Sequence, residues 1–267
     1  MSKVVLITGG SSGIGKSIGE FLKEKGFVVY GTSRSPERYA SSSFPILKLD
    51  VRDADTIQTC VQSLLELEGK LDVLINNAGV GITGPIEEIP MAEIKNNFET
   101  NFFGPLEVIK AVLPQMRKQG AGLIINVTSI AGYMGLPYRG IYSASKGALE
   151  LVTEAYNMEL KDFNIKMTNV APGDFATNIA SGRFHAPVLE DSPYKQSYGN
   201  TLKLMDSHVD SGKDPKVMAQ AIYNIINTKK PKIHYKVGEF MQTFSIVLKR
   251  ILPDRIYEKL LINHYKL

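Results

Sequence analysis

The segment of this 267-residue chain that most constrains its fold is the glycine-rich stretch Thr8–Gly15. It directly follows the apolar run Lys3–Thr8 and leads into a segment of helical periodicity that starts at Gly13. A glycine-rich turn between a buried strand and a helix lets a phosphate group approach the backbone N–H groups at the helix N-terminus. The spacing is Gly-x3-Gly-x-Gly and not G-x-G-x-x-G, so the position of the turn carries more weight than the pattern itself.

The rest of the chain alternates between short apolar runs and longer segments of helical periodicity. The apolar runs are rich in Val, Ile and Leu and predict strands buried on both faces: Lys3–Thr8, Phe27–Thr32, Pro45–Leu49, Leu71–Asn76, Leu123–Thr128, Ile165–Val170 and Ile233–Val237. The predicted helices are Gly13–Lys25, Ala54–Glu68, Met91–Lys118, Ile141–Leu160 and Pro215–Asn227. Pro105 is expected to bend or divide the third of them. This order predicts an α/β fold with a doubly wound, parallel, seven-stranded sheet flanked by helices.

A single domain is predicted for residues 1–267, because no linker, internal repeat or low-complexity tract divides the chain. Residues 174–213 interrupt the alternation with weak periodicity and scattered Gly, Pro and Ser. A segment of that length inside a domain predicts a substrate loop or lid. Residues 238–267 predict a C-terminal extension of one or two amphipathic helices around Pro253.

Charge and composition exclude several classes of protein. The net charge is +4, and its basic residues form no stripe, so no nucleic-acid partner is expected. Cys60 is the only cysteine, which excludes an internal disulfide and a multi-cysteine metal site. The four histidines lack ligand spacing, so no metal is expected. No apolar run is long enough to span a membrane, and the first residues lack the features of a signal peptide. A cytoplasmic location is therefore expected.

Tyr142 and Lys146 are four residues apart on a predicted helix, which places both side chains on one face. An ammonium group beside a phenol favours the phenolate, and a tyrosine tuned in this way can exchange a proton with an alcohol or ketone oxygen near neutral pH. Ser129, at the end of a predicted strand, could donate a hydrogen bond to that same oxygen. Taken alone, a Tyr-x3-Lys pair is a common surface arrangement.

Five motifs occur in one order along the chain: the Thr8–Gly15 turn, Asn76-Asn77-Ala78-Gly79, Ser129, Tyr142-x3-Lys146 and Pro172-Gly173. Together they resemble the short-chain dehydrogenase/reductase family over nearly the whole chain. The resemblance implies a Rossmann-type fold and an NAD(P)-dependent oxidoreductase that interconverts a carbonyl group and an alcohol.

The resemblance also implies a role for each matching residue. Tyr142 is the general acid/base, Ser129 orients the substrate oxygen, and Lys146 tunes Tyr142 and binds the nicotinamide ribose. Asn101 matches the residue that supports a proton relay through Lys146. The positions matched to cofactor contacts are Gly9, Ser11, Ser12, Gly13, Ile14, Gly15, Asp50, Val51, Asn77, Ala78, Gly79, Tyr142, Lys146, Pro172, Gly173 and Thr177. Asn77 among them matches the residue that braces the central sheet. Asp174 and Phe175 are less typical at their turn.

The end of the second predicted strand indicates which dinucleotide is preferred. An NAD enzyme places a carboxylate there to bind the ribose 2′-hydroxyl, whereas this chain has Gly31-Thr32-Ser33-Arg34-Ser35. Arg34 can form a forked pair with a 2′-phosphate, and Ser33 can donate a hydrogen bond to it. The sequence therefore predicts NADP(H). The alternative is that Arg34 is an ordinary exposed arginine.

The sequence leaves the substrate open among three hypotheses. The first is an NADPH-dependent carbonyl reductase acting on an apolar steroid-, retinoid- or lipid-like molecule, because the segments 174–213 and 238–267 are rich in apolar side chains. The second is the same chemistry on a polar metabolite, such as a sugar or a β-ketoacyl compound. The third is an NADP-sensing module without turnover. The resemblance further implies a homodimer or homotetramer, assembled through Met91–Lys118 and Ile141–Leu160.

Overall fold

The computed structural model describes residues 2–175, 182–210 and 212–267, with the backbone alone for residues 206–210. Its strands are β1 (Val4–Ile7), β2 (Val28–Ser33), β3 (Ile46–Lys48), β4 (Val73–Asn76), β5 (Ile82–Thr83), β6 (Gly122–Val127), β7 (Ile165–Pro172), β8 (Phe184–His185) and β9 (His234–Val237). Its helices are α1 (Gly13–Glu24), α2 (Ala54–Glu68), α3 (Met91–Phe98), α4 (Gly104–Gln119), α5 (Gly140–Glu159), α6 (Lys195–Asp210), α7 (Pro215–Ile226), α8 (Phe240–Ile251) and α9 (Asp254–Tyr265).

Seven strands form one sheet in the order β3-β2-β1-β4-β6-β7-β9, and every pairing in it is parallel. These are the seven strands predicted from the apolar runs, so the predicted α/β fold is confirmed. The strand order reverses between β1 and β4. At such a reversal the connections leave in opposite directions and open a crevice beyond the carboxyl ends of the strands.

Helices cover both faces of the sheet, and this explains why the sequence of β1 is apolar throughout. Val4 and Leu6 belong to a core cluster shared with α2 and α4, whereas Val5 and Ile7 belong to the cluster under α1 and α7. Successive side chains of a strand point to opposite faces, so a strand covered on both sides needs an unbroken apolar run. Cys60 lies in the first cluster as a small buried side chain, and burial raises the pKa of its thiol to about 12.

The helix predicted over Met91–Lys118 is divided in two by a π-helical turn, Glu99–Phe103. The turn closes with a wide hydrogen bond from the Gly104 N–H to the Glu99 carbonyl. Pro105 follows at the start of α4 and has no N–H to donate to the carbonyl four residues earlier. The expectation that this proline divides the helix is therefore confirmed, and single π-helical turns of this kind are frequent at functional sites.

The predicted lid, residues 174–213, is more regular than its weak periodicity indicates. Within its described part, β8 pairs in parallel with β5, and the sixteen residues Lys195–Asp210 form α6. Three of its apolar side chains, Phe175, Tyr198 and Met205, are buried in the protein. Tyr198 is 1% exposed and donates a hydrogen bond of 2.9 Å to the Ala186 carbonyl.

We expect Tyr198→Ala to lower the free energy of unfolding by about 4 kcal/mol, because it removes a fully buried ring from a packed cluster. Tyr198→Phe keeps the ring and loses the hydroxyl bonds to the Ala186 carbonyl (2.9 Å) and the Thr83 carbonyl (3.4 Å), so about 1 kcal/mol is expected. Urea denaturation of both variants measures the two values. A loss below 1 kcal/mol for the alanine variant would mean that α6 contributes little to stability.

The C-terminal extension consists of two helices, α8 and α9, which meet at Pro253. They are anchored by Ile246 and Tyr257, which are both buried against the loop that follows β6. None of the helices described is long and apolar enough to cross a bilayer.

Candidate functional site

A cleft of about 440 Å³ opens beyond the carboxyl ends of β1 and β4, where the strand order reverses. Fifteen of the predicted site residues line it: Gly9, Ser11, Ser12, Gly13, Ile14, Ser33, Arg34, Asp50, Val51, Asn77, Ala78, Gly79, Tyr142, Lys146 and Pro172. Gly15, Asn101, Ser129 and Gly173 are packed behind or beside this lining, and Thr177 lies outside the described residues. The topology thus gathers residues from six separate parts of the chain at one edge of the sheet.

The glycine turn presents backbone to one end of the cleft. Gly13 starts α1 with φ +52°, a conformation that other residues adopt only with strain. The Ser12 side chain, at the N-cap, makes no capping hydrogen bond, so N–H groups of the first turn stay available to a ligand. Gly15 packs inside the turn, since an added Cβ would lie 2.4 Å from the Gly9 carbonyl oxygen. The turn is held by Asn77, whose amide donates to the carbonyls of Thr8 (3.0 Å) and Gly9 (3.2 Å).

Two arginines border the end of the cleft near β2 and β3. Arg34 lines it as predicted, and Arg52, which belongs to none of the sequence motifs, lines it as well. Arg52 holds Asp50 through two hydrogen bonds of 3.1 and 2.8 Å. These bonds, assisted by the charge of Arg34, lower the pKa of Asp50. The charge of the Asp50 carboxylate is therefore balanced by Arg52, and the electrostatic potential at this end of the cleft still favours an anion.

Tyr142 and Lys146 lie side by side on α5 and both face the cleft. The Lys146 Nζ donates to the Val127 carbonyl at 3.0 Å. Burial lowers the pKa of Lys146, and its electrostatic interactions with Tyr142 and Glu150 oppose that fall. An ammonium group held in this way can place its field on the neighbouring phenol.

Asn101 occupies the π-helical turn and is fully buried. Its side chain bonds to Val80 in both directions, accepting from the Val80 N–H and donating to the Val80 carbonyl, each at 2.9 Å. A Cβ on Gly79 would lie within 3.2 Å of both the Asn101 Oδ1 and the Lys146 Nζ. Asn101 is therefore a close neighbour of the lysine, and it fixes the loop that follows β4.

Ser129 begins the short helical turn after β6 and is buried beside the cleft-lining Thr128. Its Oγ accepts a hydrogen bond of 3.2 Å from the Ala131 N–H. A hydroxyl that accepts from the backbone keeps its own proton free to donate. The predicted role of Ser129, donation to a substrate oxygen, is compatible with this arrangement.

An ionic cluster behind Lys146, with Glu150 buried and the other two members partly exposed, was not predicted. Glu150, one turn after Lys146, accepts a hydrogen bond from Thr128 and contacts the His234 Nδ1 at 2.9 Å. The other ring nitrogen of His234 contacts Glu154 at 3.0 Å. The Lys146-x3-Glu150 spacing was a usable sequence signal, whereas nothing in the sequence connects His234 to α5.

The protein surface beside Tyr142 is built from three distant parts of the chain. The Arg139 guanidinium lies 5.4 Å from the centre of the Tyr142 ring. Burial raises the pKa of Tyr265, at the end of α9, and the positive charge of the nearby Arg139 opposes that rise. Gln242 of α8 donates to Asp174 at 2.7 Å. The C-terminal extension therefore contacts residues next to the cleft.

Comparisons with known proteins point to one family. The family model described as short chain dehydrogenase matches residues 3–187. A 3-ketodihydrosphingosine reductase of Bacteroides thetaiotaomicron is 39% identical over 96% of this chain and 95% of its own length. An NADPH-dependent 3-dehydrocapnine reductase of Ornithobacterium rhinotracheale is 30% identical over 99% of this chain and 98% of its own. Among solved structures, a short-chain dehydrogenase from Streptomyces avermitilis superposes with a TM-score of 0.85 at 30% identity, covering 100% of this chain and 97% of that one.

Proposed function

Because this chain belongs to the short-chain dehydrogenase family of oxidoreductases, we propose that it reduces the ketone of a long-chain apolar substrate with NADPH. The observation that carries the proposal is that Arg34, Ser12, Lys146 and Tyr142 line one continuous cleft. The cleft thus contains a cation for a phosphate, free N–H groups for a pyrophosphate, and a proton donor.

The residues present fit a bound dinucleotide phosphate. The uncapped first turn of α1 offers N–H groups to the pyrophosphate, and the side chains of Arg34 and Ser33 offer a forked guanidinium and a hydroxyl to the 2′-phosphate. Asp50 is committed to Arg52, so it does not compete as a free carboxylate that would favour the 2′-hydroxyl of NAD. When bound, the nicotinamide supplies the hydride. The protein supplies the proton and the geometry.

Reduction of a ketone requires one proton at the carbonyl oxygen for each hydride received at carbon. Tyr142 donates this proton from its hydroxyl, and Ser129 donates a hydrogen bond that orients the same oxygen. Lys146 stabilises the phenolate left behind and is itself held by the Val127 carbonyl. Asn101 fixes the loop around Val80 against which the lysine lies. Proton transfer from solvent through Lys146 then restores the Tyr142 hydroxyl.

An apolar substrate is supported by the relatives and by composition. Two relatives that match nearly the whole chain carry names of reductases for a ketodihydrosphingosine and a dehydrocapnine. Beside Tyr142, the partly buried side chains of Leu136, Ile141 and Phe184 supply apolar surface. Apolar walls with a few polar groups that fix orientation are the usual lining of sites for such ligands.

The proposal is tested by following NADPH absorbance with 3-ketodihydrosphingosine, retinal, a sugar ketone and a β-ketoacyl thioester. We expect the highest kcat/KM with the long-chain ketone. A clear preference for the sugar or the thioester would replace the substrate class by a polar one. Tight NADPH binding without turnover of any compound would favour an NADP-sensing module.

We expect Glu150→Gln to move the alkaline limb of the kcat–pH profile for ketone reduction to lower pH by about one unit. Burial already lowers the pKa of Lys146, and the Glu150 charge opposes this, so the neutral amide lets Lys146 lose its proton at lower pH. Glu159→Gln, at the exposed end of α5, is the matched control and should leave the profile unchanged. A Glu150→Gln profile identical to that of the wild type would show that this carboxylate does not support Lys146.

We also propose that the protein is a homodimer or homotetramer assembled through α4 and α5. Phe103, Leu151 and Met158 are large apolar side chains on this side of the molecule, and all three are exposed. Exposed apolar residues of this size commonly mark contacts between subunits. Sedimentation velocity at micromolar concentration tests the proposal, and a single monomeric species would refute it.

A further inference from the structure

Helix α8 turns its apolar side outward. Phe240, Phe244, Val247 and Ile251 follow one another at intervals of four, three and four residues and therefore form one stripe. Phe240 is 73% exposed and Ile251 is 71% exposed. The opposite side of the helix, which faces the protein, buries only Ile246. A surface helix of a globular protein normally buries such a stripe, so the orientation of α8 needs an explanation.

The orientation of α8 is fixed by specific contacts. The helix begins with a capping box in which Glu239 and Gln242 each bond the other's backbone. On the inward side, Gln242 donates to Asp174 at 2.7 Å. On the outward side, the rings of Phe240 and Phe244 stack with centroids 5.5 Å apart. The apolar stripe is thus presented by a helix that is tied to the protein by Gln242 and Ile246 on its opposite side.

Helix α9 adds positive charge to the same extension. Tyr257 and Tyr265 face inward and are buried, whereas Arg255 and Lys259, one turn apart, are exposed. The exposed Ile256 and Leu260 lie beside them. Residues 240–267 contain five basic and two acidic side chains. The extension therefore combines exposed apolar groups with an excess of cations.

We propose that the outward faces of α8 and α9, defined by Phe240, Phe244, Val247, Ile251, Arg255 and Lys259, bind the surface of a membrane that contains anionic lipids. A helix lying in the membrane interface buries an apolar stripe among acyl chains, and basic residues attract the headgroups. A second protein is a poorer fit, because a stable protein interface takes about 20 to 30 residues from each partner. The outward stripe of α8 is one side chain wide.

This surface lies next to the cleft. Gln242 of α8 contacts Asp174, which follows β7 and the cleft-lining Pro172. If the protein docks through α8, the segment beside the cleft lies about one helix diameter from the bilayer in which a long-chain ketone dissolves. This consequence, unlike the docking itself, rests on the proposed function.

The test compares two matched pairs of substitutions in co-sedimentation with vesicles made of equal parts phosphatidylcholine and phosphatidylglycerol. Phe240→Ser with Ile251→Ser removes two exposed apolar side chains from α8. The control, Leu67→Ser with Met91→Ser, removes two that are 66% and 62% exposed on other surfaces. We expect the α8 pair to weaken vesicle binding about tenfold or more and the control pair to bind like the wild type.

Two further measurements separate the alternatives. Arg255→Gln with Lys259→Gln should reduce binding to the mixed vesicles and leave the weaker binding to pure phosphatidylcholine vesicles unchanged. Reduction of a water-miscible ketone should be unaffected in the α8 pair, which separates docking from the reaction. The proposal is overturned if the wild type does not bind vesicles, or if the control pair loses as much binding as the α8 pair. A smaller sedimenting species for the α8 pair alone would instead identify a subunit interface.

Discussion

Replacing Tyr142 with Phe is expected to reduce kcat for ketone reduction by about 10²- to 10⁴-fold while NADPH binding is retained. The substitution removes the hydroxyl that donates the proton. It keeps the aromatic ring, which packs in the cluster containing Ile82 and Ala131 and lies near the Arg139 guanidinium. The fold and the cleft should therefore be preserved, and the loss should fall on the chemical step.

Two measurements separate this loss from a structural one. A fluorescence titration gives the Kd for NADPH, and the rate of NADPH oxidation gives kcat with a long-chain ketone. Tyr156→Phe makes the same change on the same helix, away from the cleft lining, and should leave both values unchanged. Turnover close to that of the wild type in Tyr142→Phe would remove this residue from the mechanism.

Arg34→Glu is expected to lower the ratio of kcat/KM for NADPH to that for NADH by about a hundredfold. The change removes a forked, charge-assisted pair with the 2′-phosphate and places a negative charge in its position. NADH lacks that phosphate, so its kcat/KM should stay the same or rise. Arg52, which also borders this end of the cleft, should preserve part of the attraction, so some NADPH binding should persist.

Arg38→Glu provides the matched control for the cofactor experiment. It makes the same change of charge on a nearby exposed residue that does not line the cleft. We expect its cofactor ratio to change by much less than that of Arg34→Glu. Equal changes in the two variants would indicate a general field effect, and a wild type that prefers NADH would contradict the assignment of NADPH.

Much of the fold could be predicted because the pattern of apolar residues along the chain reflects which positions are buried. The runs around Val5 and Ile75 are unbroken because helices cover both faces of the sheet, and this alone indicated parallel strands. Motifs at strand ends then indicated which edge carries the site, since the carboxyl ends of parallel strands meet at one edge. Tyr142 and Lys146 were predictable in the same way, because their spacing is a property of a single helix.

The remaining features depend on contacts between distant segments, which spacing does not encode. His234 meets Glu150 and Glu154 only because β9 pairs with β7 beside α5. Tyr198 is an aromatic residue in a weakly periodic segment, and its burial depends on how α6 packs near β5. The proximity of Arg139 to both Tyr142 and Tyr265 likewise requires the C-terminal helices to fold back onto the domain.

The π-helical turn Glu99–Phe103 has a consequence for how this region can evolve. A regular α-helix rotates by about 100° per residue, so deleting one residue there would let α3 and α4 merge into a continuous helix with a shifted phase. Asn101 would then swing away from Val80, and the loop behind Lys146 would lose its anchor. Side chains on the exposed side of the turn can be exchanged at little cost. The number of residues in the turn is therefore expected to be held by selection as strictly as the identity of Asn101, and more strictly than the identity of the exposed side chains.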